Sequence, residues 1–442
     1  MVLAGGVARV GRGLRVVEAG ASATVWPGRV VIGRPFRLPQ GGGSTYGEGM
    51  TSASGGADMV DWNLAVATAT RLVRPGPEVS RAEAAAVVAE LRRHALAAEE
   101  HVREFTGMRS SSLAEAAATP VLIVDRPGWV RANVAGFRTI VQPLVEKLQA
   151  RRTNGSASAV FGTVGEKATG IEVGALLAFL ATKVLGQYET FAPAEPSLET
   201  PDSPAALFDK PRLGPEGPGP GRLLLVAPNI VHVERELDVD PVDFRLWVCL
   251  HEETHRTQFT AVPWLRDHIQ SEVQSFLAET DVDPGALLDR LRDAAGSLGA
   301  GLPGLGGGRG DNASSAGLLE IVQSPAQREI LGRLTAVMSL LEGHADVVMD
   351  GVGPAVVPSV AEIREKFQQR RDRGANRLDL MLRRLLGMDA KLRQYQDGAV
   401  FVRGVVEQVG MEGFNRVWTS PNTLPTKEEI HDPAAWVARV AR

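Results

Sequence analysis

Asp243-Phe244-Arg245-Leu246-Trp247-Val248-Cys249-Leu250-His251-Glu252-Glu253-Thr254-His255 is the stretch on which the reading of this chain turns. Phe244, Trp247, Val248, His251 and His255 fall at i, i+3, i+4, i+7 and i+11, one stripe of an α-helix. Both histidines then face the interior one turn apart. Their Cβ atoms are expected about 5–6 Å from each other, close enough for two imidazoles to meet on one metal ion. Glu252 is turned about 100° from His251, beside such an ion and not on it. From there it can take a proton from a water molecule that zinc acidifies to a pKa of about 7. The competing reading is a helix with two core histidines satisfied by carboxylates. Cys249 points to another face and reads as core packing.

A catalytic zinc needs a third protein ligand and an open position. The best donor lies in Leu340-Leu341-Glu342-Gly343-His344-Ala345-Asp346. Leu331, Leu334, Met338, Leu341, Ala345 and Val348 form the apolar stripe of a second helix, and Glu342 borders it. Asp346 follows one turn later on the same side, where it can orient a ligand imidazole through its other nitrogen. His344, turned about 200° from Glu342, is the rival third ligand. His268 ranks lower, because it follows the motif helix closely in a polar stretch. An oxyanion stabiliser is sought among Tyr188, Tyr395, His268 and Arg256; Tyr395, in a polar patch after a helix, is favoured.

The rest of the chain sets the frame. Its 442 residues are 44% hydrophobic and 23% charged, the balance of an ordinary globular protein. A net charge of −4 gives no global pull toward nucleic acid or an anionic membrane, so neither is expected as a partner. The single cysteine excludes an internal disulfide framework and fits a reducing compartment. Arg9, Arg12 and Arg15 break the N-terminal apolar run, so no export signal is read and a cytoplasmic location is expected. Val173 to Thr182 is about half the ~20 apolar residues that span a bilayer, and reads as a buried helix.

Residues 1–58 are rich in Gly, Ser and Ala and read as a disordered, low-complexity extension. One domain is expected over 59–442, with a helical part at 59–190, a metal-site part at 222–350 and a helical part at 358–442. Helices are expected at Ser80 to Phe105, Arg131 to Arg151, Gly170 to Tyr188, from Pro241, and over Trp264 to Ala294. Further helices are read at Pro325 to Met349, Val360 to Leu386 and beyond Met388. Arg222 to Val233 reads as one strand running past Pro228, which suits an edge because it cannot donate to a ladder. The basic run from Arg364 to Arg393 reads as an amphipathic helix with a solvated face, a docking face for an acidic partner being the alternative.

His251, Glu252, His255, Glu342 and Asp346 together resemble, position by position, the gluzincin branch of the zincin superfamily, in which a downstream Glu-x-x-x-Asp helix completes His-Glu-x-x-His. Glu342 lies 87 positions after His255, a much longer insertion than in the thermolysin-like pattern. From Met59 onward the chain is also similar to an actinobacterial family of zinc-dependent metalloproteases or hydrolases, part of it associated with deazaflavin-coenzyme biosynthesis. That likeness runs through Leu223 to Glu236, Phe244 to Phe259, Trp264 to His268, Leu340 to Asp350, and Val417 to Pro425. The resemblance implies a predominantly helical α+β fold, zincin-like, with a small mixed sheet packed on the metal-binding helix. It implies one Zn2+ and hydrolysis of a peptide or small amide substrate, with Glu252 as general base. It also implies an edge strand ahead of the motif helix that holds substrate, here within Arg222 to Val233, with Ala227, Asn229 and Ile230 offering main-chain groups. The rivals are a non-catalytic zinc-binding scaffold and a hydrolase of a non-peptide amide metabolite, such as a glutamyl-linked one. Glu252 weighs against the scaffold, which has no use for that carboxylate. The oligomeric state stays open.

Overall fold

In the computed structural model the described residues are 60–109, 119–138, 159–191, 207–209, 221–279, 324–372 and 388–441. The extension read at 1–58, the Gly-rich stretch near 296–317 and the basic run beyond Asp372 to 387 lie outside them.

Helices α1 (Trp62–Leu72) and α2 (Arg81–Thr106) begin at side-chain caps. Asp61 accepts from the Leu64 N–H at 2.9 Å and Ser80 from the Glu83 N–H at 3.1 Å. Strand β1 (Val121–Val124), helical residues 126–138, helix α3 (Ala159–Leu180), β2 (Gly186–Glu189) and β3 (Arg222–Val226) follow. The chain continues through α4 (Ala227–Leu237), α5 (Pro241–Ala261), α6 (Pro263–Ala278), α7 (Pro325–Gly351), α8 (Val360–Asp372) and α9 (Met388–Phe414). Short helical turns from Asn415 close over α9, burying Trp418 and Trp436. Among the described residues no helix is long and apolar enough to cross a membrane.

The fold is mostly helical with one small mixed sheet, in the order β1-β3-β2, β3 being parallel to β1 and antiparallel to β2. A strand covered on both faces needs a continuous apolar run, and Leu223-Leu224-Leu225-Val226 supplies it. Three expectations fail here. The strand stops at Val226, and Ala227–Leu237 is helix α4, with Pro228 in the first turn, where no N–H is required. Over so short a span, the buried Ile230, Val231 and Val233 of a helix carry the same apolar signal as a buried strand. Because β3 is central, neither it nor α4 can be the substrate-holding edge; the Asn229 amide is committed to Arg126 and to the Ala181 and Val184 carbonyls. Likewise the helix expected over Gly170 to Tyr188 ends at Leu180, and Gly186–Glu189 is a strand, at the edge of the sheet among the described residues. Its sequence is weakly β-like, and its register on β3 is reinforced by the buried pair Arg222 Nε to Glu189 Oε2 at 2.5 Å.

Helix α5 lies at the centre, packed against α2, α4, α7 and the sheet. Toward α2 and α4, Arg245 is held by Glu90 and Glu234, both at 2.5 Å, and Arg256 by Glu253 at 2.8 Å and Glu99 at 3.2 Å. Burial pushes the Glu253 carboxyl up to about 8 against the pull of Arg256, with Glu99 adding to the rise. These buried pairs fix the rotation of α5, so that its opposite face carries His251 and His255 toward α7. Helix α7 in turn crosses α9 with Gly343 against the Gly398–Ala399 backbone, an approach that leaves no room for a Cβ.

Candidate metal centre

The three donors proposed from the sequence come together. His251 Nε2 and His255 Nε2 are 3.3 Å apart, and Glu342 Oε2 is 3.6 Å from each. A tetrahedral zinc ion with ligand bonds of about 2.0–2.2 Å keeps its donors about 3.3–3.6 Å apart. The three atoms are therefore spaced as three corners of such a tetrahedron, in a nitrogen–nitrogen–oxygen set that suits zinc. Among the described residues this is the group of three metal-capable side chains that converges.

The outer ring nitrogens are also engaged. His255 Nδ1 lies 2.9 Å from Gln258 Oε1, and His251 Nδ1 lies 3.2 Å from Met349 Sδ. With protons on those outer nitrogens, two Nε2 lone pairs and a carboxylate oxygen face one point. Such an arrangement is repulsive without a cation among them. In the metal-free protein a proton partly fills that need. Burial opposes a charge on His255, but the neighbouring Glu342 carboxylate outweighs it, helped by Glu252 and Gln258, and the imidazole is lifted to about 9. Burial raises the Glu252 carboxyl to about 8, Glu342 adding to the rise and His255 opposing it.

At pH 7 His255 holds a proton that a metal cation on its ring nitrogen must displace, and the cation's charge also draws on the proton of Glu252 beside it, so zinc binding is expected to release one to two protons. The sign is set by competition: affinity rises with pH up to about 9, by about tenfold per unit for each displaced proton. Calorimetry in buffers of different ionisation enthalpy reads the number, and binding with no proton release contradicts these protonation states.

Glu252 is 6% exposed, lines one cavity with His251 and Glu342, and interacts electrostatically with His255 and Glu342. Edge strand β2 presses on it, since a Cβ at Gly186 would lie 2.5 Å from Glu252 Cγ and 2.9 Å from its Oε1. A cavity of about 310 Å³ opens from His251, Glu252 and Glu342; Trp247, Met349 and Phe367 give it apolar walls, and Lys183 and Arg364 are its cations.

The remaining residues proposed from the sequence have other partners or other places. Asp346 lines this cavity, but its carboxylate accepts from Arg364 at 3.1 Å on α8, while Gln258 and Met349 take the imidazole Nδ1 atoms. No sequence rule could have placed Arg364 there. His344, the rival ligand, points away: it is fully buried between Phe414 and Trp418, and its Nδ1 is 3.1 Å from Gln258 Nε2. Burial, with His255 adding, drives its pKa down to about 3. Of the oxyanion candidates, Arg256 is bound to Glu253 and Glu99 on the α2 side of α5, Tyr188 stacks on Phe259, and His268 lies against Trp264. Tyr395 lies outside the residues whose side chains are described. Gln258 went unread, although its place three residues after His255 puts it on the same helical face.

With this geometry in view, a family profile described as zincin-like metallopeptidase matches residues 60–437. A crystal structure from Chloroflexus aurantiacus, of a candidate hydrolase with a novel fold, superposes with a TM-score of 0.56 at 28% identity. The match covers 86% of this chain and 98% of that one. Among functionally curated proteins none matches. Neither description mentions a deazaflavin coenzyme.

Proposed function

This chain belongs to the zincin-like metallopeptidase family, and from that premise we propose that it is a zinc-dependent hydrolase of amides, most simply of peptide bonds. The observation that carries the proposal is the tetrahedral spacing of His251, His255 and Glu342 beside the buried carboxyl of Glu252. Zinc held by these three residues would polarise the scissile carbonyl and acidify a water molecule. Glu252 would serve as general base toward the attacking water and then as general acid toward the departing nitrogen. Burial suits it to both tasks: its raised pKa makes it a stronger base than an exposed carboxylate, and a nearby cation brings that pKa back toward neutrality.

Strand β2 borders the site and pairs with β3 along one edge only, among the described residues. An extended substrate backbone added along its other edge would pass in front of Glu252. The adjoining cavity, near the lower end of the size range of ligand pockets, takes about one substrate side chain or one small acid.

That size favours, as a second reading, a small non-peptide amide. A digest of a mixed peptide library, with zinc added and then with zinc chelated, tests the first reading. Cleavage that chelation abolishes and zinc restores is expected. A zinc-loaded protein that leaves every peptide intact but splits N-acyl amino acids would shift the assignment to the second; inertness toward both would end the hydrolase proposal.

A further inference from the structure

We infer that Gln258 is a positioning residue, one amide that holds His255 in its metal-binding tautomer and ties the motif helix to the helix that carries Glu342. The inference rests on the zinc reading above. Gln258 is fully buried, and both of its polar atoms are used. Its Oε1 is 2.9 Å from His255 Nδ1; its Nε2 is 2.9 Å from the Leu341 carbonyl oxygen and 3.1 Å from His344 Nδ1.

The orientation of the amide follows from these partners. A backbone carbonyl can only accept, so the NH₂ end must face Leu341. The oxygen is left for His255, whose Nδ1 must therefore donate. A neutral imidazole with its proton on Nδ1 has its lone pair on Nε2, the atom that faces His251 Nε2 and Glu342 Oε2. The second amide hydrogen goes to His344 Nδ1, which must accept, and the His344 ring packs against Phe414 and Trp418.

Leu341 directly precedes Glu342. The same side chain thus grips one ligand's ring on α5 and the backbone beside another ligand on α7. A carboxylate could not do both, because an ionised oxygen would face the Leu341 oxygen. An amide accepts from an imidazole and donates to a carbonyl at once. His251 is held differently, by a thioether, a far weaker acceptor.

Gln258→Leu and Gln258→Glu separate positioning from packing. Leucine keeps similar bulk and loses every hydrogen bond. Protonated glutamic acid accepts from His255 and donates to Leu341. Zinc affinity is read by competition with a chromophoric chelator, and ligand geometry by the visible spectrum of the cobalt-substituted protein. The leucine variant is expected to bind zinc about 10–100-fold more weakly and to show shifted cobalt bands, with its circular dichroism unchanged. The glutamate variant is expected to recover most of the affinity and the wild-type bands. Gln258→Met, unbranched and of similar length, replaces the leucine variant if that one fails to fold. Leucine or methionine variants with wild-type affinity and spectrum would overturn the inference while leaving the zinc reading intact. A wild-type chain that binds no zinc would overturn both.

Discussion

Glu252→Gln is expected to lower turnover by about 10²–10⁴-fold or more while zinc content stays at the wild-type level. The substitution keeps shape and polarity at a side chain pressed between Gly186 and the three donors, and removes only the capacity to carry a proton. The fold is expected to survive. In the metal-free protein the carboxyl titrates at about 8, well above its ordinary value of 4.5, so it is largely neutral at pH 7 and glutamine mimics that form. The sign follows. A carboxyl whose pKa rises on folding contributes stability that is fully present below 4.5 and lost as pH climbs through about 8. Metal-free wild type should therefore lose stability across that window, and the glutamine variant should lose less, since Glu253 titrates there in both. Hydrolysis assays and zinc analysis on the same preparation check the main expectation. A variant that keeps wild-type turnover would remove Glu252 from the chemistry.

Gly398→Ala is expected to have the largest effect on folding. Helices α7 and α9 share the most extensive packing of any two elements among the described residues. They meet where a Cβ on Gly398 would overlap the Ser339 carbonyl oxygen, and one on Gly343 would overlap the Gly398–Ala399 backbone. Backbone on both sides cannot yield as a flexible side chain does, so the helices must separate. Overpacking typically costs about 1–3 kcal/mol, and a clash with backbone on both sides falls toward the upper end of that range. Ser339 and Gly343 flank Glu342 on α7, so the displacement also moves a proposed ligand. Denaturant titration together with zinc affinity reads both effects, and a variant matching wild type in both would show that this crossing does not set the site.

The motif helix was legible because helical periodicity carries chemistry and burial together: the stripe that buries Phe244 and Trp247 also carries His251 and His255. Glu342 was legible for the same reason, on the border of a second apolar stripe. What failed were features settled by partners distant in sequence. Ile230, Val231 and Val233 are buried whether helical or extended, so periodicity could not separate α4 from a longer β3. Gly186-Gln187-Tyr188-Glu189 becomes a strand through its register on β3 and not through its own propensity. Asp346 was assigned to an imidazole by spacing alone, but Arg364 of α8 claims it. Gln258 was within reach, since i+3 from a ligand histidine on a buried helix places a polar side chain against that ring.

The central claim is that His251, His255 and Glu342 form one zinc site. Its most direct test is the metal content of the purified, zinc-reconstituted protein by mass spectrometry, for wild type, His255→Ala and Glu342→Ala. About one zinc per wild-type chain, lost from both variants, is the predicted result. A wild-type chain that takes up no zinc, or variants that retain it fully, would contradict the account.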